Sequence, residues 1–353
     1  MRIAICTDAW HPQVNGVVRS LGMTVDRLIA RGHEVELITP DQFRTFPLPG
    51  YSEIRLAMAP RFGMQRTLDD FGPDIVHIAT EGPIGWSARR WCRKSGVPFT
   101  SAFHTRFPDY AAARTGLSPD RFWPLMRRFH APSQAVLVST PTLGKELEER
   151  GIAQWQLWSR GIDNDLFRPG HAALPEIAAL PGPILLYVGR VAPEKDLPLF
   201  LDCKVPGTKV VVGDGPDLER LRASYPAARF LGALAGENLA RAYCSADVFV
   251  FPSRTDTFGL VMIEALACGI PVAALPVPGP LDIIGEHGRG PASDLPMTIG
   301  AVNEDLGLAI RKAFRLDRLG AAVHGSRFSW DRATDQFEMA LAAAVARPAL
   351  AHA

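Results

Sequence analysis

Short apolar runs alternate with longer amphipathic segments along the chain, and this alternation predicts strands and helices in turn. Apolar runs at 2–7 and 33–39 flank a segment, 17–31, in which apolar residues recur every three or four positions. That pattern is typical of two strands joined by an amphipathic helix. A second series of such units begins with the apolar run 183–188, so the sequence predicts an α/β protein with doubly wound sheets.

The most informative stretch spans 247–273 and is expected to form a strand, a loop, a helix and a second strand. The apolar run 248–251 suits a strand buried on both faces, and Pro252 ends it. A helix is predicted over about 259–268, because Gly269 stands where a left-handed glycine cap belongs. The intervening residues are polar and form a loop.

The chemistry of this stretch lies in its spacing. Asp256 falls in the loop, and Glu264 falls about one turn inside the helix. Between them, the amides of Gly259, Leu260 and Val261 form an electropositive helix N-terminus suited to phosphate. Two carboxylates for hydroxyl groups and amides for a diphosphate match a nucleotide sugar. The alternative is an ordinary βαβ unit with two solvated acidic residues.

The stretch resembles the signature of retaining family-4 glycosyltransferases of the GT-B fold, an acidic residue followed by seven others and Glu. The family usually has Glu first, whereas this chain has Asp256, in Thr255-Asp256-Thr257-Phe258-Gly259. That variant resembles the branch that glycosylates membrane lipids, including alpha-mannosyltransferases and glycosyl-diacylglycerol synthases. The resemblance covers nearly the whole chain.

The resemblance implies a GT-B architecture, in which two Rossmann-like doubly wound domains face a cleft. Residues 159–169 look like the crossing between the domains. We therefore expect an acceptor-binding domain over 1–163 and a nucleotide-sugar-binding domain over 164–329. A C-terminal helix at about 330–353 is expected to cross back to the first domain.

Two basic residues, Arg190 and Lys195, follow the strand 183–188 and Gly189. Two fixed cations facing a diphosphate leaving group stabilise the charge that develops during transfer from a nucleotide sugar. By themselves they are equally consistent with solvated surface charges, and the resemblance favours a phosphate clamp. No metal ion and no cofactor beyond the nucleotide-sugar donor are then required.

The resemblance also implies roles for individual residues around the donor. Glu264 would bind the ribose hydroxyls, while Asp256, Thr257 and Phe258 would hold the hexose. His104 ends an expected strand and would contact the sugar, although a lone histidine is otherwise most often structural. No protein nucleophile is evident, and such enzymes are thought to use front-face attack, in which the departing phosphate takes the acceptor proton.

The loops of the first half supply further candidates. Asn15 and Gly16 precede the first helix, where the family usually has two glycines near the diphosphate, and Asn tolerates left-handed backbone. A tight turn is the alternative there. Candidate acceptor residues are Asp8, Arg106 and Tyr110.

Two segments, 86–94 and 121–129, combine aromatic and basic residues. Tryptophan favours the bilayer interface and basic residues favour anionic lipid, so these segments predict membrane docking. Two ordinary helices with core aromatics are the alternative. The predicted docking residues are Arg89, Arg90, Trp91, Arg93, Trp123, Arg127 and Arg128.

Composition sets few limits on the partners. The formal net charge of +1 gives no reason to expect nucleic acid, and no obligate protein partner is evident. The five cysteines are scattered, and no metal-ligand cluster is visible. No apolar run is long enough to span a bilayer, and the N-terminus enters a strand directly. We expect a cytoplasmic protein, peripheral to the inner face of the membrane.

The sequence therefore predicts a retaining hexosyltransferase whose acceptor is a membrane lipid such as diacylglycerol. UDP-glucose, UDP-glucuronate and GDP-mannose all fit the donor motifs. Three alternatives stay open: a soluble or polysaccharide acceptor, a non-catalytic nucleotide-sugar-binding protein, and a GT-B epimerase.

Overall fold

The computed structural model describes residues 1–347 except 14, 49–50, 59, 105 and 257, with the backbone alone at 48, 51–54, 110, 113 and 114. Contacts between residues divide the chain into two compact units. One comprises Met1–Ser159 with Trp330–Ala353, and the other comprises Arg160–Ser329. This division falls between residues 159 and 160, whereas the boundary predicted from the sequence falls between 163 and 164.

The first unit is built on a parallel sheet of six strands in the order β2-β1-β5-β6-β7-β8, and β3 and β4 form a separate antiparallel hairpin. Its strands are β1 (Arg2–Cys6), β2 (Glu34–Ile38), β3 (Thr45–Leu48), β4 (Tyr51–Ala57), β5 (Ile75–Ile78), β6 (Phe99–Phe103), β7 (Val136–Val138) and β8 (Trp155–Leu157). Its helices before residue 159 are α1 (Gly16–Ala30), α2 (Arg61–Phe71), α3 (Pro83–Ser95), α4 (Phe107–Thr115), α5 (Trp123–His130) and α6 (Pro141–Glu149).

The second unit repeats the plan with six parallel strands in the order β11-β10-β9-β12-β13-β14. Its strands are β9 (Ile184–Val188), β10 (Thr208–Val212), β11 (Arg229–Gly232), β12 (Val248–Phe251), β13 (Val272–Ala274) and β14 (Gly300–Val302). Its helices are α7 (Pro175–Ala178), α8 (Leu197–Leu201), α9 (Leu218–Ser224), α10 (Gly236–Cys244), α11 (Leu260–Ala267), α12 (Pro278–Ile284), α13 (Leu306–Ala313) and α14 (Arg318–Gly325).

The last helix, α15 (Trp330–Ala346), belongs to the first unit and packs against α1, β5 and β6. Phe337 is fully buried against the sheet, and Arg27 on α1 forms an ion pair with Asp331 at 3.0 Å. Apolar burial holds this helix in place and the exposed ion pair adds little. The predicted return of the C-terminal helix to the first domain is therefore confirmed.

The central strands carry the apolar runs that the sequence showed. Every residue of β5, β6, β9 and β12 is buried, as expected for parallel strands covered by helices on both faces. The predicted α/β class with two doubly wound sheets is confirmed. The short hairpin of β3 and β4 is an addition that the sequence analysis did not foresee.

Candidate functional site

Two loops of the second unit meet at the carboxyl edge of its sheet. One follows β9 and contains Gly189, Arg190 and Lys195, and the other, 253–259, follows β12. These strands are neighbours, and the strand order reverses between them. In open α/β sheets, ligands bind outside the carboxyl ends of the strands at such a switch point.

The two loops are joined by an ion pair. Nζ of Lys195 lies 2.5 Å from Oδ1 of Asp256, and the two side chains are 21% and 24% exposed. Arg190 is more exposed, and its guanidinium lies 4.0 Å from Oε1 of Glu194. The sequence predicts two cations facing a diphosphate, whereas in the structure Lys195 is paired with Asp256, the predicted sugar-binding carboxylate.

A buried tyrosine on β9 holds the loop that follows this strand. The hydroxyl of Tyr187 donates a hydrogen bond to the carbonyl of Arg190 at 2.8 Å. A Cβ atom at Gly189 would lie 2.8 Å from the same hydroxyl, so only glycine fits. Burial raises the pKa of Tyr187 well above its usual value, which keeps the hydroxyl protonated as a donor.

The second loop leads into the N-terminus of α11. Gly259 is its N-cap, with φ of +90°, and no side chain among the described residues caps the helix there. The amides of Leu260 and Val261 therefore point out of the helix end with the positive end of its dipole. Phe258 is buried against Phe328, so only its backbone is available to a ligand. Thr257 lies outside the described residues.

Glu264 lies inside the unit, with 1% of its surface exposed. The hydroxyl of Tyr243 on α10 donates to its Oε2 at 2.9 Å, and Tyr243 is itself fully buried. A buried carboxylate is tolerated only with such hydrogen bonds. Tyr243 is not among the site residues predicted from the sequence, because no local pattern links two residues that are 21 positions apart.

In the first unit, the structure changes the interpretation of Asn15. Its φ is −151°, which is extended rather than left-handed. Its Oδ1 accepts from the amides of Val17 and Val18, at 3.0 Å each, so the side chain caps α1. The backbone of Asn15 thus does not use the left-handed conformation that Asn tolerates, and two amides at the start of α1 are already bonded to its side chain. Gly16 is exposed as the first residue of α1.

His104 follows β6, where the sequence placed it. It is 7% exposed, and its ring meets Trp158 edge-on with the centroids 5.3 Å apart. Trp158 also packs on Phe337 of the C-terminal helix. The position after β6 agrees with a site at the sheet edge, and the ring contacts give His104 a packing role besides.

The candidate acceptor residues have structural partners. Oδ1 of Asp8 accepts from the amide of Ile84 at 2.9 Å, and Thr80 donates to its Oδ2 at 2.9 Å. Burial raises the pKa of Asp8 to about 6. Arg106 pairs with Glu146 at 3.0 Å. Both side chains are thus held by neighbouring residues, and the Tyr110 side chain lies outside the described residues.

The two basic segments come together in the structure. Arg89 on α3 donates to the carbonyls of Phe129 and Arg128 on α5, at 2.9 and 2.7 Å, and Trp86 packs on Phe129. Arg89 is therefore partly buried as a brace, and its pKa is lowered by burial and by neighbouring cations. The residues left exposed around it form what we call the α3–α5 basic surface, namely Arg90, Arg93, Lys94, Arg127 and Arg128.

The tryptophans predicted for docking face inward. Trp123 is 5% exposed and stacks on Phe103, with the ring centroids 5.9 Å apart. Trp91 is partly buried, and its Nε1 donates to Asp69 at 2.8 Å. Trp123 is therefore a core residue and is withdrawn from the docking set. Among the described residues, no helix has the length and apolar character needed to cross a membrane.

Comparison with known sequences gives matches over most of the chain. A family model described as Glycosyltransferase Family 4 matches residues 14–166, and one described as Glycosyl transferases group 1 matches 182–301. A GDP-mannose-dependent alpha-mannosyltransferase of Mycobacterium tuberculosis is 33% identical over 82% of this chain and 83% of its own. Sulfoquinovosyl transferase SQD2 of Arabidopsis thaliana is 33% identical over 73% of this chain and 56% of its own.

Comparison with solved structures gives the same fold. A sucrose-phosphate synthase from Thermosynechococcus elongatus superposes with a TM-score of 0.73 and 22% identity, over 96% of this chain and 97% of its own. The Anabaena protein HepE, solved with UDP and glucose, superposes with a TM-score of 0.70 and 15% identity, over 97% and 99%. At these identities the likeness establishes the fold, and both structures have the GT-B architecture expected from the sequence.

Proposed function

The chain belongs to glycosyltransferase family 4 and uses a nucleotide-sugar donor, and on this premise we propose a retaining hexosyltransferase that glycosylates a membrane lipid. GDP-mannose is the proposed donor, because a relative that is 33% identical carries that donor in its name. Diacylglycerol is the proposed acceptor. The observation that carries the proposal is the pair of loops after β9 and β12, with Arg190, Lys195 and Asp256 at the switch point.

In this proposal, the diphosphate binds at the N-terminus of α11, against the amides of Leu260 and Val261. Arg190 and Lys195 add positive charge to the same place, so the leaving group is stabilised without a metal ion. When the diphosphate binds, Lys195 exchanges Asp256 for phosphate oxygens. Asp256 is then available to accept hydrogen bonds from hexose hydroxyls.

Glu264 is proposed to accept a hydrogen bond from a ribose hydroxyl of the donor. Its burial excludes competing water, which strengthens a hydrogen bond to the carboxylate. The acceptor hydroxyl attacks the anomeric carbon from the face that the diphosphate leaves, and the departing phosphate oxygen takes its proton. The C–O bond to the phosphate breaks as the new glycosidic bond forms, so the configuration at the anomeric carbon is retained.

A lipid acceptor is supported by charge in the first unit. The α3–α5 basic surface places five exposed cations on two neighbouring helices, with Arg89 bracing them from below. Each basic residue near an anionic bilayer contributes about 1 kcal/mol of attraction. Docking through this surface depends on charge, since Trp123 is buried.

The test combines binding and transfer. The purified protein is heated with a panel of UDP- and GDP-sugars, and a donor at 100 times its Kd adds about 2.7 kcal/mol of stability. The same donors are then incubated with phosphatidylglycerol vesicles that contain diacylglycerol. We expect stabilisation by GDP-mannose and a mannosylated lipid. Stabilisation by UDP-sugars alone would show that the donor is a UDP-sugar and not GDP-mannose. Transfer to soluble sugars alone would contradict the proposed lipid acceptor.

A further inference from the structure

Three polar side chains, Ser101, His130 and Glu81, follow one another inside the first unit and end at the carboxyl edge of its sheet. Ser101 on β6 and His130 at the end of α5 are both fully buried, with Oγ and Nδ1 2.8 Å apart. Nε2 of His130 lies 3.3 Å from Oε1 of Glu81. Within the described residues, neither of these two buried atoms has a hydrogen-bond partner of good geometry.

The hydrogen positions in this series of side chains follow from which groups can donate and which can accept a hydrogen bond. A carboxylate only accepts hydrogen bonds, so the tautomer of His130 that suits the facing carboxylate of Glu81 is the one with its hydrogen on Nε2. Nδ1 is then an acceptor, and the hydroxyl of Ser101 donates to it. Ser101 and His130 are both wholly buried, and in this tautomer they direct one N–H toward Oε1 of Glu81.

Glu81 stands where a ligand of this unit would bind. It lies in the loop between β5 and α3, and Asp8 follows the neighbouring strand β1. The strand order reverses between β1 and β5, which marks the switch point of this sheet. Asp8 already accepts hydrogen bonds from Thr80 and from the start of α3, whereas 11% of the Glu81 side chain remains exposed.

The charge at this edge selects the ligand. Glu81 is close enough to Asp8 for its charge to be among the causes that raise the pKa of Asp8. Two neighbouring carboxylates repel a phosphate or carboxylate group and attract the hydrogen of an alcohol. The hydroxyl group of a neutral acceptor therefore suits this edge, whereas an anionic group does not.

We propose that Glu81 binds the acceptor hydroxyl that receives the sugar, and that His130 and Ser101 are positioning residues that orient its carboxylate. This inference rests on the proposed function and adds the residue that holds the acceptor. Oε1 of Glu81 faces the imidazole inside the unit, 3.3 Å from Nε2 of His130. The other oxygen of this carboxylate accepts a hydrogen bond from the alcohol.

The test separates acceptor use from donor use. Glu81→Gln is compared with Glu149→Gln, a surface change on α6, in three assays with GDP-mannose as donor. The assays are transfer to diacylglycerol in phosphatidylglycerol vesicles, slow donor hydrolysis without acceptor, and GDP affinity by calorimetry. We expect Glu81→Gln to lose at least about tenfold in transfer, mainly through the KM for the alcohol, because a hydrogen bond to a charged group is lost.

Donor hydrolysis and GDP affinity should remain at the level of Glu149→Gln. Unchanged transfer, or an equal fall in transfer and hydrolysis, would overturn the role of Glu81. Glycerol and inositol are run as soluble alcohols beside the vesicles. If only the soluble alcohols accept the sugar, the lipid proposal fails, but the comparison of the two variants still tests whether Glu81 binds the acceptor. If neither the soluble alcohols nor the lipid accepts the sugar, both proposals fail.

The positioning role has its own pair of variants. His130→Gln keeps an N–H at a similar reach, whereas His130→Leu fills the space without a donor. We expect His130→Gln to retain several-fold more transfer than His130→Leu at equal GDP affinity. Equal transfer by the two variants would reduce His130 to a packing residue, and the Glu81→Gln result stands even if His130→Leu fails to fold.

Discussion

At the scale of single residues, the second unit depends on how one carboxylate is satisfied inside its core. Glu264 is almost wholly buried, and Tyr243 donates to its Oε2 at 2.9 Å. Removing a carboxylate from water costs several kcal/mol unless hydrogen bonds replace the lost hydration. The Tyr243 hydroxyl both offsets this cost and fixes the orientation of the Glu264 carboxylate, which is proposed to bind a ribose.

Tyr243→Phe tests this arrangement, because it removes the hydroxyl and keeps the buried ring. A hydrogen bond to a charged group contributes about 1.5–3 kcal/mol, so GDP affinity should fall roughly tenfold or more. Tyr225→Phe, which removes a surface hydroxyl bonded to Asp202, is the matched control. Calorimetry with GDP and 2′,3′-dideoxy-GDP decides the point, and an equal loss for both ligands would contradict a role at the ribose.

A second residue-scale prediction concerns pH. The pKa of Asp8 is raised from 3.8 to about 6 by burial. Between pH 4 and 6 the native state then holds a proton that the unfolded state releases, so the free energy of unfolding falls as pH rises through this window.

Asp8→Asn abolishes that titration. From pH 4 to pH 7, the stability of the natural protein should fall by ~2 kcal/mol relative to this variant. Urea unfolding at a series of pH values measures the difference. Parallel stability profiles for the two proteins would show that Asp8 has an ordinary pKa.

At the scale of elements, the loop-to-helix turn before α11 is built around one glycine. Gly259 has φ of +90°, and a Cβ there would lie 2.7 Å from Cε of Met262 and 3.0 Å from Cζ of Phe251. A side chain would therefore be strained by its backbone and would displace both neighbours. The amides at the start of α11 keep their direction only if this turn is preserved.

Gly259→Ala should destabilise the protein by about 1–3 kcal/mol and abolish the stabilising effect of GDP. Gly22→Ala is the control, because Gly22 lies within α1 and nothing stands within 4 Å of an added Cβ. That change should stabilise by about 0.5–1 kcal/mol through helix propensity. Melting curves with and without GDP measure both effects, and a Gly259→Ala protein that still responds to GDP would refute the role of the turn.

The sequence predicted elements well wherever local pattern controls them. The run 248–251, Gly259 and Gly269 marked β12 and α11 to within a residue. It failed where tertiary contacts decide the outcome. Asn15 caps a helix through its side chain, and Trp123 joins the core although its neighbours are basic. Side-chain pairs such as Lys195 with Asp256 join distant loops, so no sequence pattern reveals them.

At the scale of the whole molecule, each unit carries chemistry at the carboxyl edge of its own sheet. In the second unit this edge combines cations, helix amides and a carboxylate, which suits a nucleotide sugar. In the first unit it combines Asp8 and Glu81, and the α3–α5 basic surface lies on two of its helices. In the proposed function, the second unit binds the donor and the first unit binds the lipid.

Membrane attachment tests the proposed role of the first unit in binding lipid. Changing Arg90, Arg93, Arg127 and Arg128 together to Ser removes about 4 kcal/mol of attraction to anionic lipid. Sedimentation with phosphatidylglycerol vesicles should fall at least tenfold, and high salt should weaken the natural protein's binding as well. The control changes four exposed arginines of the second unit to Ser, namely Arg222, Arg229, Arg311 and Arg315. Equal binding by both variants would refute docking through this surface.

The most direct test of the central claim is transfer of labelled mannose from GDP-mannose to diacylglycerol vesicles by the natural protein and by Glu264→Ala and Arg190→Ala. The natural protein should form an α-linked glycolipid, with the configuration read by NMR. Each variant should keep its fold and lose at least about 10²-fold in rate, since each lacks a contact to the donor that the transition state requires. Near-natural turnover by either variant, or a β-linked product, would contradict the account.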